Sequence, residues 1–462
     1  MKKLFSSLML LMLILFVVAC TPKEDDKDPD PDPDPVNNGQ QYDFSQIYKE
    51  KETIRVWIDD QNGEYMQAVI AAFNNTPEGK DIIVEHQHMG TVDARERLKT
   101  FGLTGNGADI FQFPHDHLAA AILEDLVYAL PSTVAERVAQ RAHPLGMEIA
   151  TLLYDETTKQ FGPGANATEN LYAVPMSLES VGLYYNKDLV TTPAATMEEL
   201  LAAADTWNKA LANDGSGLTN ADKGWYYLGT SSHWADSYFM QTFYSAFGFQ
   251  PFGENLNDAS AVGFSKAVNA LTWFRNSLKP ATTGNGTYDS VGAGANFEEG
   301  NIPYIIAGPW NIESYAAAEG LNFGIAPLPS VNGKNGAPFA GAQMAAIYKY
   351  SNNKQAATKF LEFLMSDVAM ELQLSMKNKL PALKVDLLPN IEGFSTDPYL
   401  PAISQQLESA IPMPTIPAVQ YYWGPGESMI KAVWDNPATV IATAAAAAED
   451  AYRAQAGLGS QN

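Results

Sequence analysis

The chain has 462 residues, 46% of them apolar, and carries a formal net charge of −24 from 29 basic and 53 acidic side chains. Such an acidic polymer is repelled by phosphate backbones and anionic headgroups, which excludes nucleic acid as a partner. With a single cysteine, the chain has no internal disulfide and no cysteine-rich metal centre. Its stability must come from core area, and the about 420 residues beyond the N-terminal region suffice for two or three domains.

The N-terminus opens with Lys2 and Lys3, continues through an apolar run over 4–18 broken only by Ser6 and Ser7, and ends Val17-Val18-Ala19-Cys20. This pattern reads as a signal peptide over residues 1–20. The run is shorter than the roughly 20 residues of a permanent membrane helix. Its ending resembles the bacterial lipobox, in which the cysteine is acylated, and so implies a lipid anchor at Cys20. An ordinary cleavage site with a chance cysteine is the alternative. Residues 21–42 follow as a disordered linker rich in alternating Asp and Pro, with nothing able to found a core. At ~3.1 Å per residue in extended polyproline geometry, the linker spans about 60 Å. A calcium-binding repeat is the competing reading of its carboxylates, but no glycine turn lets them converge.

Residues 53–58 are β-branched and aromatic and read as a strand, followed by the polar turn Asp59-Asp60-Gln61-Asn62-Gly63. The spacing of Tyr65, Met66, Val69, Ile70 and Phe73 predicts a helix. Residues 81–85 and 108–113 read as further strands, with a helix over 92–101 between them. Strand, helix, strand, helix, strand implies parallel pairing in an α/β sheet. Ligands in such sheets sit beyond the carboxyl ends of the strands, which places 59–62 and 113–117 along one rim. Strands are expected again at 183–186, 303–307 and 323–327. Helices are expected at 197–211, 354–365, 367–376 and 437–454.

Aromatic residues recur where an element meets a polar turn: Trp57, Phe113, Trp234, Tyr238, Phe239, Trp310, Tyr421, Tyr422 and Trp423. Any one of them could be core, but as a set they suit sugars, whose C–H faces stack on rings and whose hydroxyls pair with carboxylates and amides. In Ala307-Gly308-Pro309-Trp310-Asn311, a glycine-proline turn after a strand is expected to project the indole into a cleft.

The ordered motifs Val56-Trp57-Ile58, Gly107-Ala108-Asp109-Ile110, His115-Asp116, Pro175-Met176-Ser177-Leu178-Glu179, Tyr185-Asn186-Lys187-Asp188-Leu189, Phe297-Glu298-Glu299-Gly300, Gly308-Pro309-Trp310 and Met413-Pro414-Thr415-Ile416-Pro417 run along nearly the whole body. In this order they resemble the extracellular solute-binding proteins of ABC importers, and among those the maltose/maltodextrin-binding proteins. The resemblance implies a type II periplasmic-binding fold, with two α/β lobes hinged around a ligand cleft. The first lobe would comprise 43–177 and 330–378, the second 178–329 and 379–456, with crossovers near 176–179, 327–329 and 377–381. It also implies a monomer without cofactor that binds an oligosaccharide and passes it to the permease subunits of an importer.

Carried over residue by residue, the resemblance assigns Asp116 and Glu179 as carboxylates that accept sugar hydroxyls, with Asp236 in a similar role. Tyr238 and Phe239 follow as aromatic contacts, Trp310 and Trp423 as the stacking floor, and Gln61, Asn62 and Phe113 as further contacts. Phe113 stands where the family has tryptophan, His117 where it has arginine, Asn62 where it has lysine and Gly424 where it has tyrosine. These departures imply an altered chain-length or linkage preference. Two other classes remain open. Asp116, Glu179 and Asp236 could serve a surface glycoside hydrolase, which needs two carboxylates at fixed separation. His86, His88, His115 and His117 could serve a metal-binding lipoprotein. A structural adhesin lobe would not need the tryptophans.

Overall fold

The computed structural model describes residues 51–254, 256–289 and 292–459; the signal peptide, Cys20 and the whole linker lie outside the described residues. The chain begins with β1 (Glu52–Ile58), β2 (Ile82–His88) and β3 (Ile110–Pro114), joined by the helices Glu64–Asn74 and Thr91–Phe101. Both pairings are parallel, with Ile54 opposite Val84 and Val56 opposite Ile110, as the alternating pattern requires. After β1 the chain reverses at Gly63, whose φ of 75° lies in the left-handed region that glycine adopts without penalty. The helix it starts buries Tyr65, Met66, Val69 and Phe73 against the sheet.

A small antiparallel sheet, β4 (Thr151–Asp155), β5 (Gln160–Phe161) and β6 (Thr168–Leu171), precedes β7 (Val174–Glu179). Only Ser180 and Val181 separate β7 from β8 (Gly182–Asn186), and across them the chain passes from one main sheet to the other. The second sheet has the order β11-β8-β10-β9, built from β8, β9 (Leu228–Thr230), β10 (Tyr304–Ala307) and β11 (Phe323–Ala326). Along β10 the side chains alternate between two cores: Tyr304 and Ile306 join one, Ile305 and Ala307 the other. This sheet is therefore buried on both faces, which is why its strands read as continuous apolar runs.

The chain returns through β12 (Phe339–Ile347), which pairs antiparallel with both β3 and β7 in the middle of the first sheet. The helices Lys354–Phe363 and Asp367–Lys377 cover that sheet before β13 (Leu380–Pro381) pairs with β7. Ala382 and Lys384 still donate to the Met176 and Arg141 carbonyls, so the chain leaves the first sheet beyond the 377–381 segment expected from sequence. The helix Leu400–Leu407 then packs on β8 and β11, and β14 (Ile411–Pro412) pairs with the start of β12. The sequence did not lead us to expect β12, whose alanines and glycine carry little β propensity; burial between two partner strands decides its conformation.

His115, 1% exposed, pins this arrangement from behind. Its Nδ1 accepts from the Ala342 N–H at 3.1 Å, and its Nε2 donates to the Met413 carbonyl, also at 3.1 Å. Both ring nitrogens are thus used by backbone. His86 Nε2 lies 3.0 Å from the Ile58 carbonyl, and among the described residues no three His, Cys, Asp or Glu side chains converge as metal ligands. His86 and His115 are therefore structural hydrogen-bonding groups. Burial lowers the His115 pKa from 6.5 to about 4. The unfolded chain then takes up the proton first, so stability is full above pH 6.5 and falls as the pH drops toward 4, by ~3 kcal/mol in all. We expect His115→Leu to lower unfolding free energy by about 2–4 kcal/mol at pH 7.5, through two orphaned backbone groups. Urea titrations at pH 7.5 and pH 5 should also show that the variant loses less on acidification than the wild type.

Candidate functional site

A cavity of about 490 Å³ opens where β7 and β12 of the first sheet face the turn after β10 of the second. One wall is the loop after β1, with Asp59, Asp60, Gln61 and Asn62, backed by Tyr65, Thr91 and Gln112. The base is formed by Ser177 and Glu179 of β7 and Gln343 of β12. Pro309, Trp310 and Glu313, beyond the end of β10, make the facing wall, and Gln373, Lys377 and Lys379 close one side. The cavity thus sits beyond strand ends, where open α/β sheets place their ligands.

Local sequence explains how these groups are held. Gln112 accepts the Asp59 N–H through Oε1 at 3.0 Å, fixing the loop, and the buried Asp60 accepts the Met66 N–H at 2.9 Å. Lys377 Nζ lies 3.7 Å from the other Asp60 oxygen. At Gly308 a methyl group would fall 2.3 Å from the Trp310 ring, so only glycine lets the indole fold back over the turn. Trp310 keeps 40% of its surface exposed, a large apolar face left toward the cavity. Its ring is flanked by Phe239 and Tyr238, with centroids at 6.1 and 6.3 Å. Tyr238 also meets Phe339, and Phe339 meets Trp423 edge-on, so rings connect Trp310 to Trp423.

Charges in the site are strongly perturbed. Burial pushes the Glu179 carboxyl up, opposed by Lys379 and by a hydrogen bond from the Gln343 amide. Burial likewise carries Asp116 up to about 7, and the neighbouring Glu179 charge adds to the shift. The Tyr238 hydroxyl is pushed well above its ordinary range by burial and by Glu179, Asp236 and Asp116. These four residues therefore form one electrostatic group around Tyr238, whose hydroxyl oxygen is buried without a hydrogen-bond partner. A polyhydroxyl ligand offers the donors and acceptors such groups lack.

Of the expected contacts, the cavity brings together Gln61, Asn62, Glu179 and Trp310. Asp116, Tyr238 and Trp423 stand behind its walls, coupled to it by charge or ring contact. Three expectations are corrected. Phe113 has no exposed surface and stacks on Phe111 at 4.9 Å, because β3 is buried on both faces at that position. Asp236 is the N-cap of the helix Ser237–Ala246: one oxygen accepts from the Tyr238 and Phe239 N–H groups and the other from the Ser232 hydroxyl at 2.6 Å. Its carboxylate orients the helix that presents Tyr238 instead of standing free for a ligand. Phe239, 4% exposed, buttresses Trp310. Trp57 and Trp234 are core as well, the latter stacked on Trp434.

Sequence reasoning missed Gln112, Gln343, Lys377 and Lys379. The two glutamines were visible as lone amides inside otherwise apolar strands, Ile110–Pro114 and Phe339–Ile347. The lysines carried no such signal, since basic residues at a helix end are ordinarily solvated.

Residues 68–402, well over half of the chain, match the family model described as bacterial extracellular solute-binding protein. This chain belongs to that family. The solute-binding protein is 26% identical over 391 residues to the maltodextrin-binding protein of Bacillus subtilis, covering 82% of this chain and 84% of that one. A maltooligosaccharide ABC transporter solute-binding lipoprotein of Streptococcus pneumoniae is 25% identical over 392 residues, with the same coverage. Its fold matches a crystal structure of a cyclo/maltodextrin-binding protein complexed with maltotetraose at a TM-score of 0.70 and 23% identity, covering 88% of this chain and 98% of that one. The fold is thus the two-lobed type II periplasmic-binding fold.

As a cap, Asp236 makes a specific contribution. Asp236→Ala should lower unfolding free energy by about 1 kcal/mol, read by urea denaturation. Asp236→Asn, which can still cap, should recover most of the loss.

Proposed function

We propose that this solute-binding protein captures maltose/maltodextrin-type oligosaccharides and delivers them to the permease of an ABC importer. The observation that carries the reading is the pairing, across one cavity, of the exposed Trp310 face with the carboxylates and amides of Glu179, Gln343 and the 59–62 loop. A sugar ring has two apolar faces and a polar rim, and this arrangement matches both. Hydrogen bonds to charged groups contribute ~1.5–3 kcal/mol each. Micromolar affinity needs ~8 kcal/mol, within reach of a few such bonds and one stacked ring. The curated relatives named for maltodextrin and maltooligosaccharide support the same substrate class. A second oligosaccharide reading has its own support, since the galactooligosaccharide-binding protein of Bacillus subtilis is 25% identical over 394 residues.

Binding proceeds without chemistry in this proposal. Of the three carboxylates a hydrolase would draw on, Asp236 is engaged in capping its helix. Ligand binding would favour the closed arrangement of the lobes, and the importer would recognise that form, a population shift driven by differential affinity. The protein works as a monomer outside the cytoplasm, held to the membrane through acylated Cys20 and spaced from it by the acidic linker. The tether raises the effective concentration of loaded receptor near the permease.

The reading is tested by intrinsic tryptophan fluorescence of the full-length protein against a panel of maltodextrins, cyclodextrins and galactooligosaccharides. Maltodextrins should give saturable shifts, and Trp310→Ala should weaken the tightest of them at least tenfold while leaving the unfolding midpoint within a few degrees. A response confined to galactooligosaccharides would move the assignment to the second reading, and release of reducing ends from maltotetraose would overturn binding without chemistry. Cys20→Ser should shift the protein from the membrane fraction to the soluble extracytoplasmic fraction, measured by immunoblot.

A further inference from the structure

Lys379 is placed in the cavity by strand pairing. Leu380 lies opposite Leu178 and Pro381 opposite Ser177 in antiparallel register, so Lys379, the residue just before β13, comes level with Glu179 at the end of β7. Residues level across an antiparallel pair point to the same face, and both Lys379 and Glu179 line the cavity. Yet the two charges make no ion pair, and among the described residues the Lys379 ammonium has no hydrogen-bond or salt-bridge partner, while the side chain is half-buried and lines the cavity. An ammonium partly withdrawn from water, with no protein acceptor, gains when something in the cavity supplies one. Side by side and apart, the carboxylate and the ammonium leave a gap for a molecule that accepts at one end and donates at the other.

We propose that Lys379 is a ligand-binding residue and that it clamps, with Glu179, two adjacent hydroxyl groups of one sugar ring. One hydroxyl donates to the Glu179 carboxylate while the oxygen of its neighbour accepts from Lys379. This assignment rests on the oligosaccharide reading above and adds to it the group that selects for a free vicinal diol at this subsite. The surrounding charge decides between a neutral and an anionic ligand. Lys377 is engaged with Asp60, and Lys379 is faced by Asp59 from the loop after β1, Glu313 from the helix Ile312–Ala317 and Glu179 from β7. An acidic substituent would meet more carboxylates than ammonium groups, so the clamp suits an uncharged polyol.

The clamp has a pH signature. Burial holds the Lys379 ammonium below the usual lysine range, against the pull of Glu179, Asp59 and Glu313, while Lys377 lowers it further. Burial holds Glu179 above the usual carboxylate range; on its far side stand Gln343, Asp116 and Tyr238. Affinity should therefore fall at acid pH as Glu179 takes up a proton and at alkaline pH as Lys379 gives one up.

The test is isothermal calorimetry of the full-length protein with maltotetraose over a pH series. Lys379→Met should weaken binding at least tenfold near neutrality and abolish the alkaline limb while keeping the acid limb. Its unfolding midpoint should stay level or rise, because a partly desolvated charge with no protein partner has been removed. Lys379→Arg should keep the charge and carry the alkaline limb to higher pH. Wild-type affinity in Lys379→Met, or an unchanged alkaline limb, would overturn the clamp while leaving the oligosaccharide reading intact. Tighter wild-type binding of an acidic oligosaccharide than of its neutral counterpart, abolished by Lys379→Met, would overturn the neutral diol. A wild-type protein that responds to no oligosaccharide would overturn the reading on which the clamp rests, and the clamp with it.

Discussion

The Ser180 hydroxyl donates to the Phe339 carbonyl at 2.9 Å, and Ser180 has no exposed surface. A hydroxyl in that position has no water to turn to, so the bond must be made within the protein. Ser180 follows the last residue of β7, and Phe339 is the first of β12. The single bond therefore fixes two of the chain's passages between sheets at the same level. One step away Glu179 pairs with Gly341, and two steps further Ser177 pairs with Gln343, so the base of the cavity is set by this registration. On the other side of β12, His115 holds Ala342 and Met413. Between these two pins β7 and β12 are held in a fixed register at the base of the cavity.

That fixed register gives the electrostatics of the cleft its character. Glu179, Asp116 and Lys379 belong to backbone that cannot easily withdraw them into solvent, so each carries its desolvation cost in the folded protein. Most other charged groups of this acidic chain are exposed and screened, and contribute little beyond solubility. Glu179 and Lys379 line the cavity, where a ligand can relieve that desolvation cost. Such preorganisation limits what must be ordered when a sugar arrives, leaving more of each contact's free energy for affinity.

Much of the fold was legible in the sequence because the edge regions obey simple periodicity. The strands of the β1 to β3 unit, and β8, β10 and β11 of the second sheet, emerged within three residues of their expected ends, whereas the short β9 was not expected. The strand at the centre did not, since Phe339–Ile347 is written in alanine and glycine and acquires its conformation only from its neighbours. The site was legible in part for a similar reason. Trp310 and Glu179 sit in motifs with a turn or strand end beside them, and the cavity uses both. Phe113 and Asp236 have the right chemistry, but a sequence does not state which way a ring faces or whether a carboxylate is already occupied by its own helix. Lys379 was unreadable because its role depends on a two-residue strand pairing with a segment some two hundred positions earlier.

A last consequence follows from Gly341. A methyl group placed there would lie 3.2 Å from the Glu179 carboxylate and 3.5 Å from the Tyr238 hydroxyl. The space between these two polar groups is thus kept open by an atom that is missing, and one methyl at 341 would press on the Glu179 side chain that lines the cavity while the backbone bonds of β12 stay as they are.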